Sequence, residues 1–317
     1  DLVVAGADEA AAYEARLRPG LLDAPDVGMS DLDPRSAELG GLPPREQVAQ
    51  LIADWDAFAA SEGLERVVVV LLSSTEAARD LEPEWEDLDA LEAALDAERV
   101  QPASLLYAYA ALSSGRPLVN FTPNLGASSP ALFALAEAHG VPHAGRDGKT
   151  GETLVKTALA PMFRQRALKV LAWQGYNMLG NRDGQVLEDP AHRSAKLQNK
   201  DEVLRQLLGE GNPHTHVGID FVPSLADWKT AWDFIHFEGF LGTRMSLQFT
   251  WQGSDSALAA PLVLDLARLA SFAHARGEMG VMEQVACFFK APLSGGSHDL
   301  HHQYARLAEY VARHKED

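Results

Sequence analysis

Arg66-Val-Val-Val-Val-Leu-Leu72 is a short, uninterrupted apolar run, the pattern of a strand buried on both faces. Strands and helices alternate around it. Upstream, residues 2–5 read as a strand, and residues 47–60 carry helical spacing through Val48, Leu51, Ile52, Trp55 and Phe58. Downstream, residues 84–95 and 103–112 read as helices, 117–121 as a strand and 130–139 as a helix. Buried strands separated by helices imply a parallel, doubly wound α/β sheet. Residues 19–44, rich in Pro, Gly, Asp and Leu without a period, read as a surface loop.

The character changes after residue 153. Residues 153–166 read as a helix, 168–173 as a strand and 201–208 as a helix. Arg244-Met-Ser-Leu-Gln-Phe-Thr-Trp251 alternates with period two, as a half-buried antiparallel strand does. Residues 220–223 read as another strand. The pair predicts a second sheet whose apolar Met245–Trp251 face is available to a partner subunit. Apolar helices follow over 258–276 and 303–314. The expected organisation is a discontinuous Rossmann-like domain over 1–153, an inserted α+β catalytic and oligomerisation domain over 154–257, and C-terminal helices over 258–317 that return to the first domain.

The 317 residues are 46% apolar and 23% charged, with net charge −18. Such a balance argues against nucleic acid, because neutralising phosphates needs a basic face. Any lysines that meet an anion must therefore act locally, against the global field. The single cysteine, Cys287, has no partner for an intrachain disulfide, which fits a reducing cytoplasm. Its apolar neighbours read as the setting of an inert thiol. The apolar stretch 257–273 is interrupted by Pro261, Asp265 and Arg268, so no membrane span is expected. The chain opens on Asp1-Leu-Val-Val-Ala-Gly6 rather than on methionine, which reads as a trimmed start.

Gly175-Tyr-Asn-Met-Leu-Gly-Asn-Arg-Asp-Gly184 follows an apolar run and reads as one glycine-bounded loop carrying Asn177, Asn181 and Asp183. Lys196 and Lys200 stand four apart, as on a solvated helix face. Asp227 and Lys229 follow, then Asp255, which is either a ligand group or a helix N-cap. Lys290, between Phe289 and Ala291, either snorkels or is partly desolvated. Amides, acids and lysines from several segments suit a phosphorylated, polyhydroxylated substrate.

His143-Ala-Gly-Arg-Asp-Gly-Lys-Thr150 misses the phosphate-loop pattern at its first glycine, where the backbone must wrap phosphate. The turn still leads into a helix N-terminus, which offers amides to an anion. No G-x-G-x-x-G occurs. Asp8, Ser73-Ser74-Thr75 and Asn120-Phe-Thr-Pro-Asn124 each follow a strand. Strand ends are where ligands bind in open α/β sheets; Asp8 by itself reads first as a helix N-cap, and the other two clusters read equally as helix caps. His298, His301 and His302 read as a surface cluster near the C-terminus, and no metal site is expected.

Taken together, Gly148-Lys-Thr-Gly-Glu-Thr153, Asn177-Met-Leu-Gly-Asn-Arg-Asp-Gly184, Val222-Pro-Ser-Leu-Ala-Asp-Trp-Lys229 and Asp255-Ser-Ala-Leu-Ala-Ala-Pro261 resemble the inositol-1-phosphate synthase family. The resemblance runs over nearly the whole chain, in the manner of the shorter bacterial members. It implies an NAD-dependent conversion of D-glucose 6-phosphate to 1L-myo-inositol 1-phosphate, serving inositol and phospholipid biosynthesis, in a homotetramer or homodimer. It further implies that Lys196, Lys200, Lys229, Lys290, Asp147, Asn177, Asp227 and Asp255 are catalytic or substrate-binding. Asp8, Ser74, Thr75, Asn120, Thr122, Asn181, Asp183 and again Asp255 become implied NAD contacts.

Three departures accompany it. Arg182 stands where many members have asparagine, and Asn120-Phe-Thr-Pro replaces Asn-Gly-Ser-Pro. The glycine-rich turn that members use for the pyrophosphate is expected before Asp1. On that reading the 1–317 chain binds NAD poorly until the upstream segment is restored. A non-catalytic synthase homologue and a phosphate-loop kinase or NTPase are the alternatives.

Overall fold

The computed structural model describes residues 39–73, 75–77, 79–181, 184, 207–208 and 213–315. The expected strand at 2–5, Asp8, Ser74, Asp183, Lys196, Lys200 and nearly all of the expected helix at 201–208 lie outside the described residues. The rest falls into two compact units, Asp1–Asp147 with Pro261–Glu283 and Gly148–Ala260 with Gln284–Asp317.

In the first unit, helix α1 (Pro44–Glu62) starts on a proline that suits the first turn and buries Val48, Leu51 and Trp55. It ends at Gly63, whose φ of 63° is the left-handed cap glycine adopts freely. Strand β1 (Val69–Leu71) buries Val69 and Leu71. Helix α2 (Leu88–Asp96) is capped by Asp87, which accepts from Ala90 N at 2.8 Å. Helix α3 (Ala103–Ser113) is buried on every side, so its sequence shows no polar face. Strands β2 (Leu118–Asn120) and β3 (Pro142–Gly145) flank helix α4 (Pro130–Ala138). The sheet is parallel, with Val70 opposite Val119 and Val119 opposite Ala144. A short fourth strand, considered below, continues it beyond β3.

The second unit begins with helix α5 (Glu152–Gln165). Its strands are β4 (Lys169–Leu179), β5 (His214–Phe221), β6 (Trp228–Glu238) and β7 (Arg244–Ser254). They order as β5-β4-β6-β7, with β4 and β5 parallel and the rest antiparallel. Helix α5 packs on β4, and Ala160 and Phe163 join Val170, Trp173, Ile235 and Phe237 in the core.

Helix α6 (Asp255–Ala275) contains the unit boundary at Pro261. Strand β8 (Gly280–Val281) is the fourth strand of the first sheet, with His143 opposite Val281. Helix α7 (Leu300–Arg313) is capped by Asp299 and packs on α5. A Rossmann-like parallel α/β sheet and an inserted α+β region are thus the architecture of the chain.

Three expectations change. The stretch from Gly175 is not a loop, because β4 runs through Leu179 and pairs on both sides. The Met245–Trp251 face is not the open one: Leu247 and Phe249 pack against the core beside α5. The opposite face instead carries a stacked row, Tyr176 on Trp232 at 5.9 Å, Trp232 on Phe234 at 6.4 Å and Phe234 on His236 at 6.3 Å. Finally, α6 is long and apolar enough to cross a membrane by length and composition, with mean hydropathy 1.4. It also holds an Asp265–Arg268 ion pair and buries Leu266, Leu269, Ala270 and Ala273.

Candidate active site

In the first unit the carboxyl ends of β1, β2 and β3 bear the polar residues. Asn120 is buried, and its Oδ1 accepts from Thr122 N at 3.1 Å and Thr122 Oγ1 at 2.7 Å. Its Nδ2 donates to Asn124 O at 2.8 Å. Asn124 in turn donates to Ser73 Oγ at 3.3 Å and accepts from Glu76 N at 2.8 Å. The bonds of Asn120 therefore shape the loop that links the ends of β1 and β2. Gly126, with φ of 47°, leaves room for the Asn120 amide, since a Cβ there would lie 2.5 Å from its Nδ2. Thr75 is buried. Asp147 sits after β3 in the left-handed region, φ 62°, and its N–H donates to Thr122 O at 2.9 Å. So β1, β2 and β3 each end in a polar loop, the place where open α/β sheets hold ligands.

In the second unit the inner face of the sheet, toward α5, carries the chemistry. Lys229 Nζ lies 2.9 Å from Asp255 Oδ2, and Thr150 Oγ1 donates to Asp255 Oδ1 at 3.3 Å. Asp255 is therefore engaged as an acceptor at the start of α6. Asp227 accepts from Ser254 Oγ, from Ser256 Oγ at 2.8 Å and from Asn181 Nδ2 at 3.4 Å. The Ser254 hydroxyl, then the Ser256 and Asn181 donors, hold its carboxyl below the usual range. The turn that carries Asp227 packs on Gly180, where a Cβ would lie 2.4 Å from Val222 O. Glycine there is what lets Asn181 reach Asp227.

Asn177 is 1% exposed, and neither amide atom has a hydrogen-bond partner. A buried amide left unbonded is costly, so its place on the inner face calls for a ligand group.

Four charged groups lie beyond the site residues that the resemblance implies. Lys156, buried on α5, bonds both Glu152 and, at 3.1 Å, Asp233. Trp173 Nε1 donates to Asp233 Oδ1 at 2.7 Å. Burial, with Glu152 nearby, raises the Asp233 carboxyl to about 6, while the two carboxylates keep Lys156 an ammonium. The fourth is Lys149, 2% exposed, whose Nζ meets Gln303 Oε1 at 2.9 Å. Burial first, and the Lys290 charge after it, lower Lys149 to about 8. A phosphate-loop lysine projects toward phosphate; this one turns into the core, against the NTPase reading. The one sequence signal for the triad was spacing: Glu152 and Lys156 stand four apart on a helix.

Lys290 is buried, following the turn Glu283–Phe288. A bridge between Gly148 and Phe289 and a Lys149 N to Phe288 O bond of 2.8 Å tie its segment to the start of α5. Burial pushes the Cys287 thiol up to about 11, as an inert thiol requires. Among the described residues no cluster of His, Cys, Asp and Glu is arranged to hold a metal.

The fold and these clusters define a Rossmann-like α/β protein whose inserted sheet bears a lysine–carboxylate site. Residues 151–256 match the family model for myo-inositol-1-phosphate synthase. The chain is 38% identical over 268 residues to inositol-3-phosphate synthase 1 of Bacteroides thetaiotaomicron, covering 81% of this chain and 61% of that protein. It is 32% identical to the Dictyostelium discoideum inositol-3-phosphate synthase, covering 71% of this chain and 46% of that one. The crystal structure of inositol-3-phosphate synthase from Caenorhabditis elegans superposes with a TM-score of 0.80 at 27% identity, covering 93% of this chain and 61% of that one. These matches make the chain similar to the inositol-phosphate synthases. It spans about half to three-fifths of the length of these relatives.

Proposed function

We propose that this chain carries the substrate-binding and catalytic part of an NAD-dependent inositol-phosphate synthase acting on D-glucose 6-phosphate. The observation that carries the reading is Asn177: a buried, unpartnered amide on the sheet face that also bears Lys229. A polyhydroxylated substrate supplies both the donor and the acceptor such an amide needs.

The strand ends at Thr75, Asn120 and Thr122 suit a dinucleotide, with Asp8 and Ser74 as further implied contacts. NAD held at those strand ends would supply a reversible hydride acceptor for C5 of the sugar. The lysines do the remaining work. Lys196 takes the C5 hydroxyl proton as the carbonyl forms. Loss of a C6 proton gives an enolate, and C6 attacks the C1 aldehyde carbon with Lys290 supporting the aldol closure. The C1 oxygen then takes a proton, and C5 is reduced again, so the net change is an isomerisation. Lys200 and Lys229 hold the phosphate or the oxyanions, and the Asp255 carboxylate fixes the Lys229 ammonium.

The test is inositol phosphate formation from glucose 6-phosphate and NAD by the full native protein, followed by phosphorus NMR. Lys229→Ala and Lys290→Ala are expected to lower turnover about 10²-fold or more. Undiminished turnover in both sinks the mechanism. A wild-type protein that binds the sugar phosphate but never converts it favours the non-catalytic homologue. We also propose that the stacked outer face of the second sheet, not the Met245 face, joins copies into a homodimer or homotetramer.

A further inference from the structure

Asn177, Ala231 and Trp251 form one cross-strand row: Asn177 is opposite Ala231 on β4 and β6, and Ala231 is opposite Trp251 on β6 and β7. All three face inward. The outer members lie two strand spacings apart, roughly 10 Å, and only an alanine methyl stands between them. Asn177 Nδ2, Asn177 Oδ1 and Trp251 Nε1 are all buried and all without a hydrogen-bond partner. Three orphaned polar atoms in one row of a sheet are unusual, because each carries a desolvation penalty.

The surroundings fit an occupant. Gly151, at the start of α5, lies against the indole, and a Cβ there would be 2.6 Å from Trp251 Nε1. The next inward row is Leu179, Lys229 and Gly253. A Cβ added to Gly253 would meet nothing within 4 Å, so there is open space beside Lys229. The indole N–H and the Asn177 amide thus stand in the row next to Lys229 and the open space at Gly253.

We propose that Trp251 is a specificity-determining contact: its indole N–H and the Asn177 amide bind a ring hydroxyl of a sugar phosphate that lies over Gly253. The proposal rests on the synthase reading for the identity of the ligand. A hydroxyl accepts from the indole while exchanging bonds with the amide, which satisfies all three orphaned atoms; an aliphatic group satisfies none. The row thus selects a hydroxyl over a hydrogen at that carbon, the kind of contact that discriminates strongly because its loss strands buried polar groups.

The experiment uses the full native protein with D-glucose 6-phosphate, and inorganic phosphate as the ring-free probe. The Trp251 indole resonance is assigned in a proton–nitrogen NMR spectrum by its disappearance in Trp251→Phe, which keeps an aromatic ring and removes the N–H. Glucose 6-phosphate is expected to shift that resonance, and inorganic phosphate to leave it in place. By calorimetry, Trp251→Phe is expected to weaken glucose 6-phosphate about tenfold and leave inorganic phosphate unchanged. Gly253→Val, which fills open space in a strand, is expected to weaken the sugar phosphate at least as much. An unmoved resonance at saturating glucose 6-phosphate, or equal affinity in Trp251→Phe, overturns the proposal, as does failure to bind the sugar phosphate at all. A shifted resonance without inositol phosphate formation keeps the subsite and removes the synthase reading. Normal synthesis with unchanged KM in Trp251→Phe does the reverse.

Discussion

Lys156 and Asp233 form an ion pair of 3.1 Å whose side chains are 2% and 0% exposed. The pair ties the first turns of α5 to the middle of β6, with Glu152 as the second carboxylate. Gly175, opposite Asp233 on β4, has no side chain because that volume is occupied: a Cβ would lie 2.8 Å from Lys156 Nζ and 2.9 Å from Glu152 Oε1. The clamp therefore sets the height of Gly151 and Thr150 above the inner face that bears Asn177 and Lys229.

Removing the cation strands two buried carboxylates. Lys156→Met is expected to cost about 3–5 kcal/mol, and Gly175→Ala about 1–3 kcal/mol through overpacking. Urea unfolding measures both. A loss under 1 kcal/mol in Lys156→Met contradicts the clamp.

Lys149 poses the opposite case. Its folded pKa, about 8, is below its ordinary 10.5, so between those values the unfolded chain holds the extra proton. Stability from this group is lowest below pH 8 and rises as pH climbs toward 10.5. The difference is roughly 3 kcal/mol. Lys149→Met is expected to be as stable as the wild type or more so at pH 7, with the pH 8–10.5 rise abolished. A rise that persists in the variant assigns it to another group.

His143 is fully buried on β3 with both ring nitrogens unpartnered, its ring tilted against Phe133 at 5.4 Å between centroids. Burial lowers its pKa to about 4 from 6.5. The unfolded chain binds the proton first, so its share of stability is whole above pH 6.5 and lost as pH falls toward 4. The loss amounts to roughly 3 kcal/mol. His143→Phe is expected to flatten the stability curve across that window, as read by denaturant titration at several pH values.

The outer face of the second sheet has its charged residues Lys169, Asp220, Glu238 and Arg244 at the strand ends, and its centre is Tyr176, Trp232, Phe234 and His236. On a chain of net charge −18, an uncharged aromatic centre is where two copies meet with least repulsion. Trp232→Glu with Phe234→Glu is expected to reduce the assembly to monomers by light scattering at micromolar concentration. An unchanged mass removes this face as the interface.

Local pattern determined most of the architecture. The Val69–Leu71 strand, the capped helices α2 and α4 and the alternation of β7 follow from apolar periodicity, Asp87, Ser129 and the period-two run, all of which act within a few residues. The resemblance to the inositol-phosphate synthases was legible in four short motifs for the same reason. What the tertiary structure alone decided was burial and facing. Gly175 and Gly180 look like loop punctuation in sequence, yet one is a strand residue facing a buried ion triad and the other a seat for a turn. Trp251 and Met245 share a face by parity, but only the position of α5 makes it the inner one. Lys149 and Lys156 are ordinary lysines in sequence; enclosure lowers the pKa of the first, and two carboxylates raise that of the second. Parity and propensity are properties of neighbouring residues, whereas desolvation depends on which distant segments close over a side chain.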